Sequence, residues 1–212
     1  MSGINEELLS STGASWDQPQ RFEPGAIPEA ALRLFEERSR AIINNMEPFR
    51  PWVLKDPRFS LVFPQWRPLL EKPLAVLVYR NPFDVAKSLA ERDGLPVEWS
   101  TALWTQYTSS ALDATEGLPR LPICYDSLIA QPEGAARRLL AGLVARGATT
   151  LRWPVDNAPV KFVKTGLRHH HACARDTLGI LDRRQQELFA RLVDCDLHER
   201  SATEGRRRPA ES

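Results

Sequence analysis

Cysteine, glycine-rich loops, long apolar runs and charge of one sign are scarce or missing in this sequence, and each shortage removes a class of protein. Three cysteines occur, Cys124, Cys173 and Cys195. Their odd number and unpaired spacing exclude a disulfide-stapled secreted scaffold and fit a reducing compartment, where a buried thiol acts as a small hydrophobe. No apolar run approaches the ~20 residues that span a bilayer, so no membrane span is expected. The opening Met-Ser-Gly-Ile-Asn-Glu-Glu is polar and acidic, unlike a secretory leader. A cytoplasmic location follows as the expectation. The formal net charge is only +1, so no whole-molecule field draws in nucleic acid or anionic lipid. An arginine tail without an aromatic-rich basic patch does not change that, and no nucleic-acid partner is expected. Any anion site must be local. A glycine-rich loop ending in Lys-Ser or Lys-Thr, the mark of most P-loop nucleotide binders, is also missing.

Hydrophobic residues make up 42% of the 212 and charged residues 26%, the balance of a globular protein with room for a real core. One domain over residues 1–200 is expected, followed by a disordered basic tail at 201–212 containing Arg206-Arg207-Arg208. Residues 4–11 read as a short helix, and a Gly/Ser/Pro-bearing stretch surrounds Trp16. A stronger helix begins at Pro28, a favoured first-turn residue, with Leu32, Phe35, Ile42, Ile43 and Met46 on one face. Trp52-Val53-Leu54 reads as a short strand that stops at Lys55-Asp56-Pro57-Arg58, and a further helix leads to Leu70. Residues 74–79 form the clearest strand, continuous and apolar as where both faces of a parallel strand are covered.

The second half continues the alternation. Residues 82–92 read as a helix, and 97–115 as a longer one with Trp99, Leu103, Tyr107 and Ala111 along one side. Residues 121–125 read as a strand whose Pro122 suits an edge. Pro132 opens a helix with Ala136, Leu139, Leu140, Leu143 and Val144 inward, and a last helix covers 181–194. Strands alternating with helices predict an α/β fold with a mostly parallel sheet. In such sheets ligands bind beyond the carboxyl ends of the strands.

Chemistry-bearing residues gather just past the predicted strands. In Tyr79-Arg80-Asn81-Pro82 a strand delivers an arginine to the sheet edge and a proline pre-sets a helix start, with Ser88 two turns along that helix. An arginine fork suits phosphate oxygens, and a helix start adds N–H donors and a positive dipole end. The same residues fit a plainer arrangement, in which Arg80 pairs with a carboxylate and Ser88 is solvated. Lys55 and Asp56 follow the run at 52–54; a turn with Asp56 as helix cap and Lys55 in water accommodates them equally. Tyr125 ends the third strand and reads either as a pocket wall or as a core tyrosine. His169-His170-His171 invites a zinc reading, but neighbouring side chains diverge and metal ligands usually come from spaced positions. No metal is expected.

Arg80-Asn81-Pro82 with Ser88 resembles the 3′-phosphate signature of the sulfotransferases, P-loop-like enzymes that use 3′-phosphoadenosine 5′-phosphosulfate. The resemblance implies that Arg80 and Ser88 hold the 3′-phosphate of that co-substrate. Lys55-Asp56-Pro57 is similar to a segment of tyrosylprotein and bacterial carbohydrate sulfotransferases, which implies that Lys55 steadies charge on the bridging oxygen. Asp56 is then a cap or lysine partner first and a general base second. Tyr125-Asp126-Ser127-Leu128 resembles the family's Tyr-Glu-Asp-Leu segment, which implies an adenine-pocket role for Tyr125. Phe162…Leu167-Arg168-His169 is similar to a late segment of bacterial members, and implies that Lys164 or Arg168 closes over the 3′-phosphate.

The residues from Ile4 to Trp16 resemble a segment that follows the family's phosphosulfate loop, and nothing in the sequence matches that loop itself. The resemblance therefore implies a P-loop-like three-layer sandwich truncated at its amino end. The implied activity is transfer of a sulfuryl group from the nucleotide donor to an acceptor hydroxyl, on a carbohydrate in the members it most resembles. The truncated chain itself is expected to be inactive, with self-association through a sheet edge left open. The acceptor's base stays open between Glu6, Asp56 and a group outside the chain. The alternative is a non-catalytic nucleotide- or partner-binding remnant of such an enzyme.

Overall fold

Where the N-terminal sequence puts Ile4, Asn5, Leu8 and Leu9 on one side of a helical turn, helix α1 (Ser2–Ser10) forms and buries all four. The computed structural model describes residues 2–163 and 181–205. Within them the protein is mixed α/β and mostly helical, with one two-stranded parallel sheet. Two compact units share the chain, Met1–Pro73 with Thr105–Leu118, and Leu74–Trp104 with Pro119–Ser212.

The first unit is helical. Helix α2 (Glu29–Met46) starts after Pro28 and buries Phe35 and Ser39. Leu32, predicted on the inner face, is 36% exposed, because Ala31, Phe35, Ser39, Ile42 and Ile43 already fill the contact stripe. The opposite side carries the i,i+4 ion pairs Glu29–Arg33 and Glu36–Arg40. Helix α3 (Phe59–Trp66) contributes Leu61, Val62 and Trp66. Trp66 is the centre of this core: the rings of Phe35 and Phe59 meet it at 5.3 and 5.4 Å, and its indole N–H donates to Asn5 Oδ1 at 2.9 Å. That bond satisfies a buried donor that would otherwise be costly. The run at 52–54 is not a strand: Val53 is 78% exposed, and no described strand lies beside it to take its ladder bonds.

The second unit is built on β1 (Ala75–Tyr79) and β2 (Arg120–Cys124), paired in parallel from Ala75↔Arg120 to Tyr79↔Cys124. Pro122 is accommodated because, in a two-stranded sheet, both strands are edges. The expectation that both faces of β1 are covered fails: Val76 and Val78 are 38% and 63% exposed. With period-2 alternation, only the face of Ala75, Leu77 and Tyr79 turns inward. Helix α4 (Pro82–Asp93) leaves β1 directly and buries Pro82, Phe83, Asp84 and Ala86. It stops at Gly94, whose φ of 69° places it in the left-handed cap that glycine favours.

Helix α5 (Val97–Ala114) begins in this unit, and here Trp104 is buried while Trp99, on the side singled out from the sequence, is 40% exposed. Helices α6 (Tyr125–Ala130) and α7 (Pro132–Ala145) follow β2 and pack on it. The residues of α7 that are fully buried are Ala135 and Gly142, not the leucines, which are half-buried. Small residues let the helix backbone approach Leu121 of β2 closely. After the short α8 (Ala158–Phe162), helix α9 (Arg183–Gly205) packs against β2 and α7. It is longer than the predicted 181–194. A reciprocal cap opens it, Gln185 N–H to Asp182 Oδ1 at 2.8 Å and Asp182 N–H to Gln185 Oε1 at 3.0 Å, and no proline interrupts it before Gly205.

Candidate functional site

Parallel pairing of Tyr79 with Cys124 brings the next residues of both strands, Arg80 and Tyr125, out side by side at the carboxyl edge. The guanidinium carbon of Arg80 lies 4.9 Å from the Tyr125 ring centroid, above its face. Arg80 Nε lies 4.0 Å from Asp126 Oδ1, the first-turn acid of α6. The arginine side chain is only 16% exposed, so these contacts are felt through less water than at an open surface. Two of the residues predicted to bind nucleotide are thus in direct contact. Asp126, whose charge opposes an incoming phosphate, is the neighbour that sequence reasoning missed; a carboxylate beside Arg80 is foreseeable, but its identity depends on the strand register. Ser88 is half-buried on α4 in the same unit.

The helix start contributes less than its position suggests. Pro82 has no N–H, the Phe83 N–H goes to the side chain of Asn81 at 2.9 Å, and the Val85 N–H goes to the Asn81 carbonyl at 3.1 Å. Asp84 sits buried in the first turn, where its charge already complements the dipole. The α4 terminus is therefore largely occupied by the protein's own groups. The cationic group that this edge presents is the Arg80 guanidinium rather than the helix start.

Lys55 and Asp56 belong to the first unit. Lys55 is exposed. Asp56 turns a nearly buried carboxylate, 2% exposed, toward Arg58 and accepts from its backbone N–H at 2.9 Å and from Nη1 at 3.2 Å. Arg58 also pairs with Glu6 of α1. Burial works against the Arg58 charge, but hydrogen bonds and attraction from Glu6 and Asp56 outweigh it and raise its pKa above the ordinary arginine value. The segment is a turn ahead of α3 in which the Asp56 carboxylate is held by Arg58 and Lys55 is exposed. Tyr107 joins the cluster and donates its hydroxyl to the Trp16 carbonyl at 2.8 Å. Its phenol pKa is pushed well above the usual tyrosine range. Burial is the main cause and the Glu6, Asp56 and Asp17 carboxylates add to it, while Arg58 pulls the other way. Arg58 and Tyr107 were not singled out in the sequence; only their burial and partners mark them.

Lys164, Arg168 and the histidines at 169–171 lie outside the described residues. Among the described residues no group of three or more His, Cys, Asp or Glu side chains is placed to hold a metal ion, and no helix is long and apolar enough to cross a membrane. No family model matches the sequence, and neither a curated protein nor a solved structure matches it.

Proposed function

We propose that this chain is a sulfotransferase-type protein whose second unit takes the 3′-phosphate of an adenine nucleotide on Arg80 and Ser88, with Tyr125 beside the base. The reaction assigned to it moves a sulfuryl group from 3′-phosphoadenosine 5′-phosphosulfate to an acceptor hydroxyl, on a carbohydrate. A P-loop-like three-layer sandwich is the architecture that accompanies this reading. The observation that carries it is the Arg80–Tyr125 pair at the carboxyl ends of two parallel strands. A guanidinium fork suits phosphate oxygens, and an aromatic face beside it offers a stacking plane.

In the transfer, the bond from sulfur to the donor's bridging oxygen breaks, a bond to the acceptor oxygen forms, and the acceptor proton passes to a base. The resemblance gives Lys55 the charge that grows on a bridging oxygen, and the reading of the second unit stands without it. Lys164 or Arg168 is assigned closure over the 3′-phosphate.

One observation favours a second reading, nucleotide binding without transfer. Asp56 directs its carboxylate at Arg58 rather than outward, and Glu6 shares the same arginine. Calorimetric titration with adenosine 3′,5′-bisphosphate and adenosine 5′-monophosphate tests what both readings share. The bisphosphate should bind more tightly, and Arg80→Ala should remove about tenfold to a hundredfold of that preference. Equal affinities for the two nucleotides would refute the assignment. A radiolabelled-donor assay with mixed carbohydrate acceptors separates the two readings: turnover supports the enzyme, and binding without turnover supports the second.

A further inference from the structure

Tyr79, the last residue of β1, is 7% exposed and anchored from the far end of the second unit's chain. Its ring packs edge-on against Phe189 of α9, centroids 6.2 Å apart, and its hydroxyl donates to Asp196 Oδ2 at 2.8 Å. Asp196 is itself 7% exposed. Leu192 and Leu188, one and two turns earlier on α9, are also buried, and Phe189 meets the Trp104 ring at 6.4 Å. A carboxylate and a phenol in such a setting are strongly held to a partner, because leaving either unpaired is costly.

We propose that Asp196 is a positioning residue for Arg80: by holding the Tyr79 phenol it fixes the strand end that presents the guanidinium, and so sets the preference for a 3′-phosphate. The inference rests on the reading of Arg80 as the phosphate arm. Successive strand residues project to opposite faces, so Tyr79 turns onto α9 while Arg80 turns over Tyr125. The peptide between them is bounded on one side by pairing with Cys124 and followed at once by the Asn81 cap of α4. A strand end pinned by backbone pairing, side-chain anchor and helix cap has little room to rotate. A guanidinium meeting a phosphate in fork geometry needs that constraint, since misplacement by about 1 Å forfeits much of the contact.

The test measures, on the full chain, affinities for adenosine 3′,5′-bisphosphate and adenosine 5′-monophosphate, and reads their ratio. A merely structural contact would weaken both nucleotides alike and leave the ratio in place. Tyr79→Phe keeps the ring against Phe189 and removes only the hydroxyl. It should lower the ratio about threefold to tenfold with little change for the monophosphate. Asp196→Ala should match it, and Asp196→Asn, whose amide oxygen still accepts, should stay within about twofold of the parent. If Asp196→Ala does not fold, Tyr79→Phe carries the test alone. An unchanged ratio in Tyr79→Phe, beside a collapsed ratio in Arg80→Ala, would overturn the positioning role and leave the Arg80 reading intact. An unchanged ratio in Arg80→Ala would instead overturn the reading beneath it.

Discussion

Arg80 stacks its guanidinium over Tyr125 because their strands are paired in register up to the residue before each. Two residues 45 positions apart by their numbers thereby form one surface element, a cation resting on an aromatic face. Such contacts contribute about 0.5–2 kcal/mol depending on burial.

The ring, not the hydroxyl, makes this contact, and the two are separable by substitution. Tyr125→Phe should keep adenosine 3′,5′-bisphosphate affinity within about twofold, whereas Tyr125→Ala should weaken it about fivefold or more as the guanidinium loses its platform. Fluorescence or calorimetric titration of the two variants gives the comparison. A larger loss in Tyr125→Phe than in Tyr125→Ala would assign the contact to the hydroxyl.

Asp126 places a carboxylate 4.0 Å from Arg80 Nε, and that charge competes with any phosphate for the same arginine. Asp126→Asn keeps the size and removes the like charge, so bisphosphate binding should tighten about twofold to tenfold at low salt. The gain should shrink as ionic strength rises and the Debye length falls. Weaker binding in Asp126→Asn would mean that the carboxylate orients Arg80 more than it repels the ligand.

The strand at 75–79, the Asn81 cap and the helix from Pro82 were legible because each is a local signal: a branched apolar run, a side chain that caps, a ring that fixes φ. Tyr125 at a strand end was legible for the same reason, although it opens α6 rather than closing β2. What was not legible depends on partners distant in sequence. Trp99 and Trp104 differ by little more than one helical turn, and the buried one, Trp104, is the one that meets Phe189, a partner distant in sequence. The run at 52–54 has strand composition but no described neighbour to pair with. Asp126 beside Arg80, Glu6 beside Arg58, and Asp196 beneath Tyr79 are long-range pairings that no periodicity encodes.

Tyr107 gives the first unit a pH dependence of known sign. Its folded pKa is raised, chiefly by burial and then by the Glu6, Asp56 and Asp17 carboxylates against the pull of Arg58. The folded protein therefore holds this proton more tightly than the unfolded chain does. The stabilisation is fully present below the ordinary tyrosine value near 10 and is lost as pH rises beyond it, where the unfolded chain releases the proton first. Denaturant melts at pH 8 and at pH 10.5–11.5 should show a fall that is smaller in Tyr107→Phe. Equal falls in both proteins would locate the alkaline sensitivity elsewhere.

Gly142 marks the closest approach of α7 to the sheet, and its replacement sets two known effects against each other. Alanine in a helix interior is favoured over glycine by about 1 kcal/mol, so on propensity alone Gly142→Ala should stabilise the protein. A methyl at that position, however, would stand 2.5 Å from Leu121 Cδ2 and 3.0 Å from Cδ1. Leu121 is 2% exposed, so its side chain has little open space to turn into. Helix and strand must then move apart, and overpacking of this kind costs about 1–3 kcal/mol. The clash should win by a small margin, giving a net loss of about 1 kcal/mol or somewhat more. The decisive measurement is a double-mutant cycle by urea unfolding. Leu121→Ala alone should destabilise by opening a cavity, and Gly142→Ala placed on that background should be neutral or stabilising, since its methyl then has room. If Gly142→Ala is equally destabilising with and without the Leu121 side chain, the clash is not its cause.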